Sequence, residues 1–191
     1  VGRCGVGEQV RLARAALHFW EEPCVSGEEG SGTVFFSGCS LGCVFCQNYQ
    51  ISAGHFGRDI PVERLAEIFL ELQEQKANNI NLVTGGHYIP QIVRALDLVR
   101  GKLHIPVVYN SSGYETVEAL RMLKGYVDVY LPDLKYRSPE RGARYSHAPD
   151  YFAVASKAIL EMFDQVGPVR FDGQGMIQKG LIVRHMVMPN G

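Results

Sequence analysis

The sequence predicts an α/β fold in which five to six parallel strands form a partial parallel (β/α) barrel. Two observations support this fold class. Short, nearly continuous Val, Ile and Leu runs alternate five times with apolar residues at helical spacing, as buried parallel strands and their crossover helices do. Polar or glycine-rich clusters follow the first four of these runs. In parallel barrels such clusters share one face, where active sites form.

The first predicted strand is Thr33–Ser37, a run of β-branched and aromatic residues. Pro61 then opens a predicted helix over Val62–Lys76, in which apolar residues recur at helical spacing. The later strands are predicted at Ile80–Thr84, Ile105–Tyr109, Val127–Leu131 and Leu181–Met188. Helical stripes separate them at Ile89–Val99, Val117–Leu123 and Phe152–Met162.

Length and composition indicate one globular domain. The chain has 191 residues, of which 46% are hydrophobic and 20% are charged, so it can bury a substantial core. Its formal net charge is -1, and no basic field favours nucleic acid or an anionic membrane as a partner. No run approaches the ~20 apolar residues of a membrane span. We therefore expect a cytoplasmic protein.

The two ends of the sequence predict a chain cut from a longer one. There is no initiator Met, and the sequence stops at Met188-Pro189-Asn190-Gly191, directly after an apolar run. We expect an N-terminal extension, residues 1–32, that packs on the barrel, and a barrel, residues 33–191, that is truncated at its C-terminus. Cys4 and Cys24 lack a close cysteine neighbour. They are expected to be buried small side chains rather than a second metal site.

Three cysteines on one loop, Cys39, Cys43 and Cys46, directly follow the first strand. Thiolates this close can hold one small metal centre, and such soft ligands favour an iron–sulfur cluster, zinc or Cu(I). A disulfide would leave one cysteine unpaired, and structural zinc would need a fourth ligand, for which His55 is the nearest candidate in sequence. A cluster held by three cysteines would keep one iron free for a ligand other than protein.

The spacing C-x3-C-x2-C, with Phe45 just before the last cysteine, resembles the signature of the radical S-adenosylmethionine (SAM) superfamily. The resemblance implies a 4Fe-4S cluster on Cys39, Cys43 and Cys46, with SAM bound to the fourth iron. Phe45 would then pack on the adenine of SAM and shield the cluster from water. Its alternative role is only to cover the mouth of the barrel.

Gly85-Gly86 follows the second strand and matches the glycine pair that contacts the amino group of SAM in this superfamily. The superfamily usually has an acidic residue next, where this chain has His87. The alternative is an ordinary turn from strand to helix, in which glycine is used for its backbone freedom.

Two further stretches, Asn110-Ser111-Ser112-Gly113 and Leu131-Pro132-Asp133-Leu134-Lys135, resemble motifs of the glycyl-radical-enzyme activating branch, typified by the pyruvate formate-lyase activating enzyme. The resemblance assigns Ser111, Asp133 and Lys135 to the SAM pocket. It also implies a monovalent cation held by Asn110, Ser111 and Asp133, although the branch has an acidic residue where this chain has Asn110. The alternative for Asp133 and Lys135 is an ion pair at the barrel rim.

Arg184 lies in an otherwise apolar predicted strand and needs a partner, because burying a lone charge is costly. It begins the sequence Arg184-His185-Met186-Val187-Met188-Pro189, which follows the family's R-x-x-V-x-P pattern. The resemblance makes Arg184 a candidate to bind the carboxylate of SAM. His185 alternates to the opposite face, where we expect a hydrogen bond to satisfy it.

The resemblance implies an enzyme that cleaves SAM reductively to a 5′-deoxyadenosyl radical, which abstracts hydrogen from a substrate such as a glycine of a glycyl radical enzyme. No catalytic residue is expected beyond the cluster and SAM. A low-potential donor such as flavodoxin or ferredoxin would supply the electron, in an anaerobic setting. The alternatives are a radical SAM enzyme that acts on a small molecule or peptide, a non-catalytic iron–sulfur electron-transfer protein, and a structural zinc module.

Overall fold

The computed structural model describes residues 4–187. The strands in this range are β1 (Val10–His18), β2 (Ser31–Phe36), β3 (Arg58–Ile60), β4 (Ile80–Val83), β5 (Val107–Ser111), β6 (Val129–Pro132), β7 (Arg170–Phe171) and β8 (Ile177–Leu181). The helices are α1 (Pro23–Ser26), α2 (Tyr49–Ser52), α3 (Val62–Glu74), α4 (Ile89–Leu98), α5 (Val117–Met122), α6 (Pro139–Ser146) and α7 (Tyr151–Val166). A short 3₁₀ helix, Gly86–Tyr88, precedes α4.

Five of these strands form the parallel centre of one sheet. The strand order is β3-β1-β2-β4-β5-β6-β8-β7, and the successive pairs from β2 to β8 are parallel. The parallel strands lie side by side in chain order with helices between them, so the predicted α/β partial barrel is confirmed. The sheet is open, with β3 and β7 at its two edges.

Helices α3 and α4 cover part of the outer face of the sheet. They bury residues at helical spacing: Leu65, Phe69 and Leu72 in α3, and Ile89, Ile92 and Leu96 in α4. These side chains share one core with Leu82 of β4 and Tyr109 of β5. Full burial of such a side chain is worth about 1.5–3 kcal/mol, so the helical stripes account for much of the fold's stability.

The N-terminal segment belongs to the same sheet. β1 pairs antiparallel with β2 and packs Leu12, Ala15 and Leu17 against the core. β1 lies within residues 1–32, which we expected to form an N-terminal extension that packs on the barrel, and it adds an antiparallel strand to the sheet. Arg11 and Arg14 interrupt its apolar pattern, and a bulge between Leu12 and Arg14 shifts its register, so no regular alternation marks this strand in the sequence.

α1 closes the lower end of the barrel, where the parallel strands begin. Val25 is fully buried against Val108 and Val129 on the inner face of the sheet. Asn79, which is 1% exposed, donates from Nδ2 to the Val25 carbonyl over 2.7 Å and accepts from the Ser31 hydroxyl over 2.6 Å. The opposite end, where the strands finish, is left open.

The last parallel strand lies earlier than predicted. We predicted Leu181–Met188, whereas β8 is Ile177–Leu181, and Arg184 forms only an isolated bridge with Asp133. The reason is a hairpin that joins β7 to β8 and sets the start of β8. The strand contains polar residues, which hide it from a search for apolar runs. Met188 and Pro189, the end of the predicted pattern, lie outside the described residues.

Two other strands start later than predicted. β5 begins at Val107 rather than Ile105, because Pro106 has no N–H to give to the ladder. β6 begins at Val129 rather than Val127, whose N–H still bonds to the Leu123 carbonyl in the preceding helical turn.

Glu115 carries a carboxyl group packed inside the fold. The Tyr109 hydroxyl donates to Glu115 Oε1 over 3.3 Å, and a side chain at Gly86 would come within 2.5 Å of Glu115 Oε2. Only glycine therefore fits at position 86 without a shift. Burial raises the pKa of Glu115 to about 7, and the hydrogen bond from Tyr109 opposes this only in part.

We expect Asn79→Ala to lower the free energy of unfolding by about 1–3 kcal/mol, because the Val25 carbonyl and the Ser31 hydroxyl lose their buried partner. Chemical denaturation measures the change. Gln75→Ala, at an exposed position at the end of α3, is the control and should change stability by less than about 0.5 kcal/mol. Equal stability of the two variants would contradict the bridging role of Asn79.

We expect Glu115→Gln to remove part of the pH dependence of stability. The folded pKa of about 7 exceeds the ordinary value of 4.5, so the wild-type free energy of unfolding should fall as the pH rises between these two values. At pH 8, relative to pH 5, the variant should gain up to about 3 kcal/mol over wild type. Denaturation at both pH values measures this. Glu118→Gln, exposed in α5, should keep the wild-type slope, and an unchanged slope in Glu115→Gln would refute the assignment.

Candidate functional site

The loops at the open end of the barrel enclose one cavity of about 530 Å³. Residues from every parallel strand end and from the end of β1 line it: His18, Trp20, Glu21, Phe35, Cys39, Leu41, Cys43, Phe45, Cys46, Gln47, Asn48, Val83, Thr84, Asn110, Ser111, Ser112, Asp133, Lys135, Arg184, His185 and Met186. Clefts of this size hold small molecules and cofactors. The predicted convergence of the strand-end clusters is therefore present for all but the glycine pair.

A second cavity, of about 430 Å³, lies between β1, β3 and α3 on the outside of the sheet. Its charged wall includes Arg64, which forms ion pairs with Glu67 and Glu71 on the surface of α3. None of the predicted site residues lines it. The chemistry-bearing side chains belong to the first cavity.

The three cysteines are free thiols on the loop after β2, each half-buried. Cys43 Sγ lies 2.9 Å from the hydroxyl of Ser146, a fully buried residue of α6, and Cys46 Sγ lies 3.3 Å from the hydroxyl of Ser52. The Leu41 N–H donates to Cys39 Sγ over 3.4 Å. Burial raises the pKa of Cys43, and the hydrogen bond from Ser146 opposes that rise.

The donor set fits an iron–sulfur cluster better than a single ion. Among residues 4–187, no three His, Cys, Asp or Glu side chains converge as ligands of one metal ion. Structural zinc needs four ligands within about 2.3 Å of the ion, and His55, its predicted fourth ligand, does not line the cavity. A cluster places each thiolate on a different iron, so its cysteines stand farther apart. Three soft thiolates beside open space for a ligand match that requirement.

Cys4 and Cys24 do not line the cavity. Both are half-buried, and Cys24 packs beside Val25 and Val108. Burial raises the pKa of the Cys24 thiol. These features agree with the expected packing role.

Phe45 and Leu41 form the apolar side of the cavity below the cysteines. Leu41 is 1% exposed, and Phe45 meets the ring of Tyr136 edge to face, with centroids 6.4 Å apart. Tyr136 in turn lies 3.1 Å from the Ser146 hydroxyl that contacts Cys43. The wall therefore excludes water on one side of the cysteine loop.

Arg184 is surrounded by oxygen atoms. Its Nε donates to Asp133 Oδ1 over 3.0 Å and its Nη2 to Asn110 Oδ1 over 2.6 Å, while Nη1 lies 3.5 Å from Glu21 Oε2. The sequence predicted that the charge of Arg184 would need a partner, and the structure provides several. The guanidinium also occupies oxygens of Asn110 and Asp133 that were expected to hold a monovalent cation.

Lys135 and Asp133 form the ion pair that was the alternative to a ligand role. Their Nζ–Oδ2 distance is 2.5 Å, and both side chains line the cavity. Tyr151 of α7 fixes this strand end: its hydroxyl lies 2.7 and 2.8 Å from the carbonyls of Ser112 and Asp133, and it accepts from the Lys135 N–H. Ser111 uses its hydroxyl locally, as acceptor from the Gly113 N–H at 3.1 Å.

The glycine pair does not line the cavity in this structure. Gly85 faces Ile92 and Phe36, and Gly86 faces Glu115, whereas Val83 and Thr84 line the cavity in their place. Binding of the SAM amino group by Gly85-Gly86 stays a prediction. Thr84 has a φ of 58°, which is unfavourable for a β-branched residue and is a feature that clusters at ligand sites.

The two histidines beside predicted motifs are both hydrogen-bonded. His87 Nε2 lies 2.8 Å from the Ser37 carbonyl, and burial lowers its pKa. His185 Nδ1 lies 2.6 Å from the Leu134 carbonyl, and His185 also lines the cavity. The hydrogen bond expected for His185 is present, but its placement on the face opposite Arg184 was wrong: both side chains line the cavity, because β8 ends before them and the alternation of faces does not extend to these residues.

Sequence reasoning missed the residues that β1 brings to the cavity. His18, Trp20 and Glu21 line it, and Trp20 is 88% exposed. These residues belong to no motif that we recognised. One sequence feature could have drawn attention to them. Two adjacent carboxylates, Glu21 and Glu22, stand just before Pro23, which is unusual at the end of a strand.

No helix within residues 4–187 has both the length and the apolar character needed to cross a membrane.

Comparisons with known proteins give one family and one relative. Residues 33–169 match the Radical SAM superfamily. The chain is also 36% identical over 182 residues to the uncharacterised protein MJ0674 of Methanocaldococcus jannaschii, an alignment that covers 91% of this chain and 48% of that protein. The chain thus spans about half the length of this relative.

The superfamily match runs from the first parallel strand through α7 and includes the cysteine loop and the ends of β2, β4, β5 and β6; the cavity residues after β1 and after β8 lie outside it. The chain belongs to the radical SAM superfamily, whose members are enzymes of radical chemistry that typically use a 4Fe-4S cluster and SAM.

Proposed function

We propose that this protein binds a 4Fe-4S cluster through Cys39, Cys43 and Cys46, cleaves SAM reductively, and takes a hydrogen atom from a glycine of a partner glycyl radical enzyme. The observation that carries the proposal is the shared cavity, which the three cysteines line together with residues after β5 and β6. Those residues belong to the two motifs that resemble the glycyl-radical-enzyme activating branch.

The chemistry supplied by such a cluster, once a low-potential donor has reduced it, is the one-electron cleavage of SAM into methionine and a 5′-deoxyadenosyl radical. The protein's own residues prepare the environment. With Cys43 bound to a cluster as a thiolate, the Ser146 hydroxyl would donate to it, and Leu41 and Phe45 pack beside it and exclude water. A dry wall keeps a reactive radical from side reactions with solvent.

The charged side of the cavity suits the polar half of SAM. SAM carries a carboxylate, an ammonium and a sulfonium, and the cavity offers both signs of charge through Lys135, Arg184 and Asp133. Charge-assisted hydrogen bonds to such groups give orientation as well as affinity. The guanidinium of Arg184 already contacts protein carboxylates. It can therefore bind a ligand carboxylate only on the side of the guanidinium that these carboxylates do not contact.

A protein substrate is supported by the rim of the cavity. Trp20, which lines the cavity, is 88% exposed, and two side chains outside its lining, Val44 within the cysteine loop and Tyr49 just after that loop, are 66% and 65% exposed. An exposed apolar rim suits contact with another protein. A low-potential protein such as flavodoxin or ferredoxin is the proposed electron donor.

A small molecule or peptide is the second candidate substrate. It is favoured by the charged floor of the cavity, where Glu21, Asp133 and Arg184 lie close together. Polar groups gathered at the bottom of a concave site are typical of small-ligand recognition.

We expect Cys39→Ala, Cys43→Ala and Cys46→Ala each to lose the cluster, because each removes one thiolate ligand. Iron and sulfide content after anaerobic reconstitution measures the loss. Cys4→Ala and Cys24→Ala are matched controls outside the cavity and should keep the wild-type iron content. A control that lost as much iron as the loop variants would contradict the assignment of ligands.

We expect reconstituted wild type, given SAM and a strong reductant without oxygen, to form 5′-deoxyadenosine, and Cys43→Ala to form at least about 100-fold less. Liquid chromatography measures the product. If wild type forms none, the proposed activity is wrong.

The glycine substrate has its own test. With a glycyl radical enzyme labelled with deuterium at its glycines, deuterium should pass into 5′-deoxyadenosine and a glycyl radical should appear in the electron paramagnetic resonance spectrum. Cleavage of SAM without either signal would favour the small-molecule alternative.

A further inference from the structure

Glu21 and Glu22, in the connection from β1 to α1, form an acidic pair that the proposed chemistry does not use. Glu21 lines the cavity, and its carboxylate lies 3.5 Å from Arg184 Nη1. Glu22 Oε1 lies 3.9 Å from Arg184 Nε. The two glutamate side chains are only 11% and 28% exposed. Both carboxylates are therefore largely removed from water.

The positive charge beside them does not balance this group. Three carboxylates, those of Glu21, Glu22 and Asp133, face Arg184, and Asp133 takes its closest ion pair at 3.0 Å. Lys135 also pairs with Asp133. The cluster thus holds three acidic groups against two basic ones, with His18 as the other titratable group facing Glu21. The surplus negative charge lies with the two glutamates.

Two polar groups without an ordinary hydrogen bond mark the same place. Asn81 of β4 is fully buried, and within residues 4–187 neither atom of its side-chain amide makes a hydrogen bond of ordinary length. Burial raises the pKa of the Glu21 carboxyl overall, and a long, weak hydrogen bond to the Asn81 amide opposes that rise. Glu22 Oε2 is also buried without a hydrogen-bond partner in this range. Buried polar groups normally have partners, so such a group points to a missing ligand.

Asn81 lies beneath the cavity. Side chains two residues apart on a strand share one face, so Asn81 projects on the same face as Val83, which lines the cavity. On the neighbouring strand, Asn81 is opposite Val108, and Val83 is opposite Asn110. The amide therefore forms part of the inner floor, one layer below the cavity wall.

We propose that Glu21, Glu22 and Asn81 form a subsite for an organic cation at the floor of the cavity. The subsite rests on the proposed function, because its cation is either the sulfonium of SAM or an ammonium group of the substrate. An organic cation suits it better than a metal ion, since no three acidic or other metal-binding side chains converge here within the described residues. The carboxylates supply negative charge, and the oxygen of the Asn81 amide adds a dipole that attracts either cation and accepts a hydrogen bond from an ammonium.

The test measures binding to oxidised, reconstituted protein without reductant, so that no turnover occurs. The probes are SAM, S-adenosylhomocysteine, in which an uncharged thioether replaces the sulfonium while the amino-acid charges remain, and n-butylammonium. The variants are Glu21→Gln, Glu22→Gln and Asn81→Ala, with Glu28→Gln, exposed in the same N-terminal segment, as the matched control. Thermal melting confirms that each variant is folded.

If the sulfonium is the cation, Glu21→Gln and Glu22→Gln should bind SAM at least tenfold more weakly and S-adenosylhomocysteine as well as wild type does. If a substrate ammonium is the cation, both nucleosides should bind normally, and n-butylammonium binding should fall at least tenfold. Glu28→Gln should match wild type with all three probes. Asn81→Ala should weaken the same probe as the glutamate variants.

Two results would overturn the subsite. In the first, the glutamate variants bind all three probes with the same affinity as wild type. In the second, they lose equal affinity for SAM and for S-adenosylhomocysteine, which would indicate only that Arg184 has shifted. Failure of the proposed function would look different. Wild type would then form no 5′-deoxyadenosine with reductant, whatever the binding measurements gave.

Discussion

The contacts of Arg184 join parts of the chain that the sheet alone does not hold together. The sheet is open, so strand pairing does not link the connection after β1 to the segment after β8. Arg184 makes that link across the inside of the barrel: it contacts Glu21 on one side and Asn110 and Asp133 on the other. Such charge-assisted bonds are strong where water is scarce, and loss of one partner leaves the others uncompensated. The floor of the cavity depends on this one side chain.

The cysteine loop depends in turn on α6 and α7. Ser146 at the end of α6 contacts Cys43, and the Tyr145 carbonyl accepts from the Val44 N–H over 2.9 Å. Tyr151, at the start of α7, fixes the loops after β5 and β6 through its hydroxyl. One short stretch of chain therefore positions both the soft ligands and the charged residues opposite them. The cavity has an apolar, sulfur-rich side and an ionic side, as a ligand with an adenine and a charged amino-acid part requires.

The repeated apolar runs were sufficient to predict the parallel strands and the crossover helices, because buried parallel strands lack polar positions. The exceptions have local causes. β1 has arginines and a bulge, and β8 has polar residues and begins at a hairpin, so neither gives a clear apolar signal. The cysteines were predicted because their ligand chemistry requires a fixed residue type at close spacing, which a sequence displays directly.

The sequence by itself determined the fold class, the three-thiolate loop and the set of strand ends that meet at one face, since each of these follows from short-range pattern. Only the tertiary structure decided that Glu21 meets Arg184, 163 residues away, that Gly86 faces Glu115, and that the buried Asn81 amide makes no hydrogen bond of ordinary length within residues 4–187. The physical reason is that an ion pair or an unsatisfied amide depends on which side chains face each other across the barrel. The spacing of residues along the chain does not indicate which side chains face each other.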